Sequence, residues 1–261
     1  MRYKLAADAR PQVTLLLTAT LVSVVLWVLS WYLPFVGYVV YPLELFATFI
    51  HEGSHVLATL LTGNTVTSLT VSPDASGVVW SQSSGFSQLL ISSAGYLGAT
   101  VFGTMLLVWM RYGFSSRVGL SLSAGFVGVM TLIFGFLAPF WNLLANVTFG
   151  SVVFTVLSGV VLTAGLATIA KFASLKWTNF AIAFLAVQCL LNATFSLKDL
   201  FVISTTTNQA TDAANMAVAT GIPGFLWVFV WIGISLIMIT VGLRLYAVGT
   251  GAKATDSVFE D

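Results

Sequence analysis

Charge is what this chain has least of. Of its 261 residues only 7% are Asp, Glu, Lys or Arg, against about 25% in a soluble domain. With 58% hydrophobic residues and a mean hydropathy of +0.98, that deficit excludes an ordinary soluble globule. A single cysteine, Cys189, excludes an internal disulfide and a thiolate metal cluster; it reads as a small hydrophobe packed in a helix. The net charge of +1 leaves no basic stripe for a nucleic-acid partner, so none is expected. Histidine occurs only twice, so imidazole chemistry must use one or both of those positions. Between residues 86 and 190 there is no Asp, Glu or His, which argues against a metal-transport pathway lined by repeated polar groups.

Long apolar runs are there in their place. They cover roughly 13–33, 43–62, 86–110, 118–137, 143–170, 177–201 and 222–246. Most reach the ~20 residues that cross about 30 Å of hydrocarbon. In lipid, backbone groups must be satisfied within each segment, which selects helices. The expected fold is therefore an all-α polytopic membrane protein of six or seven transmembrane helices. It would form one membrane domain over 1–247 with a polar tail at 248–261, embedded in the bilayer as a multi-pass protein. The basic N-terminus and first run resemble a signal peptide, but the run is too long and ends in bulky Trp27, Trp31 and Tyr32, so it reads as a retained helix. If every segment crosses, Arg111, Arg117, Lys171, Lys176, Arg244 and Lys253 fall on one side and Arg2, Lys4, Arg10 and Lys198 on the other. That is a weak orientation signal, and one non-crossing segment changes it.

Both histidines belong to one motif, His51-Glu52-Gly53-Ser54-His55, inside the apolar run 43–61. On a helix, positions i and i+4 share a face, so both imidazoles can point at one metal ion. Glu52 lies about 100° around the helix, placed to reach water at that ion without competing as a ligand. This is the H-E-x-x-H zinc arrangement, with two His ligands and a Glu general base. With so few His and Glu, chance produces the pattern about once in 10,000 chains. The structural alternative is a buried hydrogen-bonded cluster, and ionisable groups in an apolar segment weigh against it.

A catalytic zinc needs a third protein ligand and an open position. With no further His and no useful Cys, a carboxylate must supply it. Glu44 lies two turns from His51 on the same helix, about 10 Å along the axis, which is too far for direct ligation. Asp74 in Pro73-Asp74 reads as a turn residue. Asp199, ending the apolar run at 177–201, is the leading candidate, with Asp212 behind it. Asn192 is two helical turns before Asp199, shares its face, and is expected to hydrogen-bond substrate or a group that supports the metal ligands. After the motif, Thr65–Val71 and Val78–Ser81 flank a Pro-Asp…Gly turn and predict a β-hairpin at the membrane surface. Its free edge could accept an extended substrate by strand addition; the plainer reading is a polar loop. Thr211 or Asp212 is placed to cap a short helix.

The stretch from Pro42-Leu43-Glu44 through His51–His55 to Leu61-Thr62-Gly63, with Asp74-Ala75-Ser76-Gly77, Ala94-Gly95-Tyr96-Leu97-Gly98 and Thr220-Gly221-Ile222-Pro223…Trp227, resembles the site-2 protease-like membrane zinc metallopeptidases. It is most similar to their compact bacterial branch without a PDZ domain. The resemblance covers Pro42 to about Trp231. It implies an intramembrane endopeptidase in a bacterial cell membrane, acting on a membrane-protein or peptide substrate. Zn2+ would be held by His51, His55 and an Asp, with Glu52 as base and a hairpin after the zinc helix. The better-known members place that Asp in N-x-x-P-x-x-x-L-D-G. Here the span from Asn192 to Asp199 is one residue shorter, Phe195 replaces the Pro, Lys198 precedes the Asp and Leu200 replaces the Gly. The competing expectation is a non-catalytic membrane protein that uses the same fold for binding or assembly.

Overall fold

A computed structural model of the chain describes residues 10–83, 85–207 and 209–247; the polar tail expected at 248–261 lies outside them. Helix α1 (Arg10–Tyr32) stops where Pro34 forces the preceding residue out of the helical region, and Leu33 is extended at φ −125°, ψ 96°. Pro34 then opens α2 (Pro34–Leu61) at its first position, where a missing amide costs nothing. This helix carries the histidine motif.

The expected hairpin follows. Strands β1 (Val66–Val71) and β2 (Gly77–Ser81) pair antiparallel, with Val71 opposite Gly77 and Leu69 opposite Val79. Asp74 Oδ1 shapes the turn by accepting from the Ser76 amide at 3.0 Å and the Ser76 hydroxyl at 2.6 Å; these two bonds hold its carboxyl below the usual range. The turn is tied to α2, because the Tyr41 hydroxyl donates to the Pro73 carbonyl (2.7 Å) and the Thr48 hydroxyl to the Ala75 carbonyl (2.6 Å). The outer edge of β1 is closed by side chains: Val71 N–H donates to Thr155 Oγ1 at 2.8 Å and Asn142 donates to the Thr67 carbonyl at 3.2 Å. The Ser72 amide donates to the Ser76 carbonyl at 2.8 Å. Antiparallel alternation from that pair turns the amides and carbonyls of Gly77 and Val79 away from β1.

The remaining helices are α3 (Phe86–Arg111), α4 (Ser116–Val129), α5 (Ala138–Trp141), α6 (Phe149–Phe172), α7 (Leu175–Thr206), α8 (Asp212–Thr220) and α9 (Gly224–Ala247). A π-helical stretch, Met130–Leu137, joins α4 to α5 without interruption. Its Gly135 faces Thr155 and the Leu69 carbonyl, where β1 lodges. Among the described residues, six stretches are long and apolar enough to span a membrane: α1 from Gln12, α3, α4 through α5, α6, α7 and α9. Helix α2 is not one of them. The chain is thus a multi-pass integral membrane protein, all-α apart from the hairpin.

Interhelical contacts fix the directions. The Gln12 amide donates to the Met110 carbonyl (3.4 Å), Arg111 donates to Gln12 Oε1 (3.3 Å), and the Tyr246 hydroxyl donates to the Gln12 carbonyl (2.7 Å). The start of α1 therefore meets the ends of α3 and α9. Farther along, Gln188 donates to the Ser23 hydroxyl at 3.2 Å, and Trp27 stacks on Phe195 at 4.4 Å. Helix α1 thus runs parallel to α7 and finishes at the end where α3 begins. The whole segment 34–85, α2 and hairpin together, leaves that end and returns to it. Lipid offers no hydrophobic force between helices, so close packing and interhelical hydrogen bonds hold the bundle. Gly103 against Leu190, and the 3.2 Å Thr100–Ser235 bond worth about 0.6 kcal/mol, are of this kind.

Candidate active site

Helical spacing brings the two imidazoles together as expected: His51 Nε2 and His55 Nε2 are 3.1 Å apart. His55 Nδ1–H donates to the Ile91 carbonyl on α3 at 2.7 Å. That bond places the ring proton on Nδ1, so the Nε2 lone pair points into the site. The His51 ring meets Tyr96 edge-on at 4.6 Å, and Tyr96 stacks on Trp231 at 5.4 Å. Trp231 in turn donates from Nε1 to the Ser93 hydroxyl at 3.0 Å. Helices α3 and α9 therefore hold both rings from behind. The approach depends on Gly95, whose missing side chain leaves the space that His51 Nε2 and His55 Nε2 fill. Glu52 is buried beneath the first residue of β2; a Cβ on Gly77 would stand 2.7 Å from Glu52 Oε1.

The carboxylate that the structure brings to the two imidazoles is that of Asp212; the leading candidate of the sequence, Asp199, does not join them. Asp212 Oδ2 lies 3.3 Å from His55 Nε2 and 3.6 Å from His51 Nε2, with its side chain 19% exposed. Among the described residues, His51, His55 and Asp212 form the group whose possible ligand atoms all lie within 4.8 Å of one another. Asp199 is 63% exposed and pairs with Lys198 at 3.1 Å. The buried stripe of α7 passes through Ala193, Leu197 and Leu200, which turns Asp199 to the cavity wall, away from the histidines. Asn192 shares that wall, as its spacing predicts, and accepts from the Ser196 hydroxyl at 3.3 Å. Glu44 stays on α2 outside the cluster, and Asp74 serves the hairpin turn.

Local chemistry explains Asp212. Thr211 caps α8 by accepting from the Ala214 amide at 3.2 Å, which makes Asp212 the first residue of the helix. A carboxylate is favoured there by the helix dipole. Burial opposes its charge, but His55 and His51 outweigh that and hold its carboxyl below the usual range. Helix α8 is located by the chain after it. Trp227 donates from Nε1 to the Thr220 hydroxyl at 3.2 Å, and Gly224 lets α9 start directly against the Ala213 carbonyl. The sequence signal for this existed in Thr211-Asp212 and in the Thr220–Trp227 motif, but it gives no hint that the two converge on the histidines.

The three donors fit a zinc ion. Ligands about 2.0–2.1 Å from a tetrahedral centre stand about 3.3 Å from one another. The observed separations of 3.1, 3.3 and 3.6 Å straddle that value. Two imidazole nitrogens facing each other beside a carboxylate need a shared cation or protons, and His55 has already committed its proton to Ile91. The cluster opens into a cavity of about 760 Å³, lined by the triad, Glu52, all of β2, Tyr96, Asn192 and Asp199. A separate hollow of about 480 Å³ between the π-helical stretch at the end of α4 and α6, with Thr131 and Thr163 as its polar lining, offers no titratable group.

The scan against family models returns the Peptidase M50B-like family over residues 15–242. No curated protein and no solved structure gives a significant match. The family match takes in both helices of the histidine–aspartate cluster and all six spans almost entirely, so the chain belongs to the Peptidase M50B-like family and is a membrane metallopeptidase.

Proposed function

We propose that the protein is a zinc-dependent intramembrane endopeptidase in which His51, His55 and Asp212 hold the metal and Glu52 is the general base. The observation that carries this reading is the set of donor separations, which match the edges of a zinc tetrahedron. When bound, zinc would supply Lewis acidity, polarising the scissile carbonyl and acidifying water. Glu52 is the remaining carboxylate beside the triad. Its role is to accept a proton from the attacking water and return it to the leaving amine. His55 keeps its orientation through Ile91, and His51 through Tyr96. Burial of Glu52 under Gly77 confines the proton transfer to the side of the cavity where β2 lies.

The substrate is a membrane-anchored segment that unwinds locally, because a helix has no free backbone edge to offer. The outward amides and carbonyls of Gly77 and Val79 can pair with such a segment by strand addition. They border the same cavity as Glu52. Asn192 and Asp199 on the opposite wall are positioned for hydrogen bonds to the bound chain. The test is Glu52→Gln in purified protein. Zinc content should remain at the wild-type level while cleavage of a membrane-segment substrate falls by about 10²–10⁴. Loss of zinc with Glu52→Gln, or undiminished cleavage, would assign the residue another role.

A further inference from the structure

Tyr96 carries one group that neither its packing nor the chemistry assigned to Glu52 uses. Its ring meets His51 edge-on and stacks on Trp231; a phenylalanine ring would do both. The residue is only 8% exposed, yet among the described residues its hydroxyl has no hydrogen-bond partner. A buried phenol normally finds one. The hydroxyls sealed inside the protein without a partner are those of Ser68, Thr104 and Thr163. That of Tyr96 is not sealed, and the opening it meets is the cavity whose wall Tyr96 helps to form. The carboxylates it feels are those of Asp212, Glu52 and Asp199, in falling order of influence. The hydroxyl is therefore within range of the cluster, the base and the α7 wall.

This free donor is held rigidly. Trp231 backs the phenol ring and is itself tethered to the Ser93 hydroxyl. A donor fixed in advance costs no reorganisation when charge develops in front of it. A phenol, with an ordinary pKa near 10, keeps its proton at neutral pH and so remains a donor. Ser92, one helical turn earlier on α3, is the competing group. It is 3% exposed, lines the same cavity and likewise has no partner. Its oxygen stays close to the α3 backbone, whereas the phenol projects past the ring of His51.

We propose that Tyr96 is a catalytic residue, its hydroxyl donating a hydrogen bond to the scissile carbonyl oxygen as that oxygen gains negative charge. This role rests on the peptidase reading. In the addition step the water oxygen bonds to the carbonyl carbon and the water proton passes to Glu52. The carbonyl π pair moves onto the oxygen that Tyr96 meets. In the collapse that pair re-forms the carbonyl, the carbon–nitrogen bond breaks, and Glu52 returns the proton to the leaving amine. Tyr96 keeps its own proton throughout. Its hydrogen bond strengthens with the charge, so it favours the transition state over the bound substrate.

Tyr96→Phe tests this, because it keeps both ring contacts and removes the hydroxyl alone. The purified full-length variant should hold wild-type zinc and show the wild-type KM for a single-span model substrate. Its kcat should fall by about 10²–10³, the cost of one oxyanion donor. A phosphinic analogue of that substrate, with a tetrahedral phosphinate in place of the cleaved amide, should bind the variant more weakly by about the same factor. Intact substrate should bind Glu52→Gln and the double variant Glu52→Gln/Tyr96→Phe equally. Wild-type kcat, or wild-type affinity for the analogue, in Tyr96→Phe overturns the proposal. Loss of zinc also overturns it, and makes Tyr96 a positioning residue for His51. A fall in kcat in Ser92→Ala with none in Tyr96→Phe overturns it in favour of the serine. If zinc-loaded wild type cuts no membrane-segment substrate, the peptidase reading falls and this role with it.

Discussion

At the scale of single residues, the site is limited by how close α3 can come to α2. Gly95 is the contact point: a β-carbon there would occupy the space of His51 Nε2 and His55 Nε2. Gly95→Ala should push the imidazoles apart and weaken zinc affinity by at least the 10–100-fold typical of losing a ligand's supporting partner, measured by titration with a competing chelator. Gly125 on α4 is the control, since nothing lies within 4 Å of its added β-carbon. Gly125→Ala should leave zinc binding unchanged, and in a helix interior Ala is the better residue by about 0.5–1 kcal/mol. Equal zinc affinity in both variants would mean that Gly95 does not set the geometry. The histidines and Glu52 were legible from the sequence because their relation is local: one helical turn fixes it. Gly95 was visible only as part of a short family-like motif, because its meaning is a contact with another helix.

Among the described residues, β2 has no strand on the side away from β1. β1 has both edges occupied, by β2 on one side and by Thr155 and Asn142 on the other. The alternation of hydrogen bonds makes adjacent positions of β2 inequivalent. Val79 directs its amide outward, so Val79→Pro removes a donor from the free edge and is tolerable in an edge strand. Val78 directs its amide at β1, so Val78→Pro breaks the hairpin itself. Steady-state kinetics should show a raised KM for Val79→Pro with zinc content intact. Val78→Pro should lose stability, read as a lower thermal midpoint of the solubilised protein. An unchanged KM in Val79→Pro would remove strand addition from the account. The hairpin was legible because β-branched runs around Pro-Asp…Gly are a local signal. Helix α8 was legible as a short capped helix for the same reason. That α8 delivers the third carboxylate was not, because it depends on Gly224 and Trp227 seating that helix beside α3. Asp199 attracted the assignment by ending an apolar helix, but its rotational position on α7 puts it on the cavity wall, where it pairs with Lys198 instead of the histidines.

For the whole molecule, the path of α2 ties site and membrane together. A segment that looked in the sequence like one more span enters and leaves by the same end, carrying the histidine motif and hairpin with it. Hydropathy marks length and apolarity, and cannot separate a crossing from a helix enclosed by its neighbours. Enclosure keeps Glu52, His55 and Thr59 away from lipid, where ionisable groups are costly. It also explains why the clustered side chains come from distant parts of the sequence: α2 supplies His51 and His55, α8 supplies Asp212, and α3, α7 and α9 form the frame between them. The central claim is that this frame assembles a metal centre from His51, His55 and Asp212. Zinc per protein in Asp212→Ala and Asp199→Ala, purified without added metal, tests it most directly. The account predicts that Asp199→Ala keeps the wild-type zinc content and Asp212→Ala loses nearly all of it. Zinc retained by Asp212→Ala and lost by Asp199→Ala would contradict it.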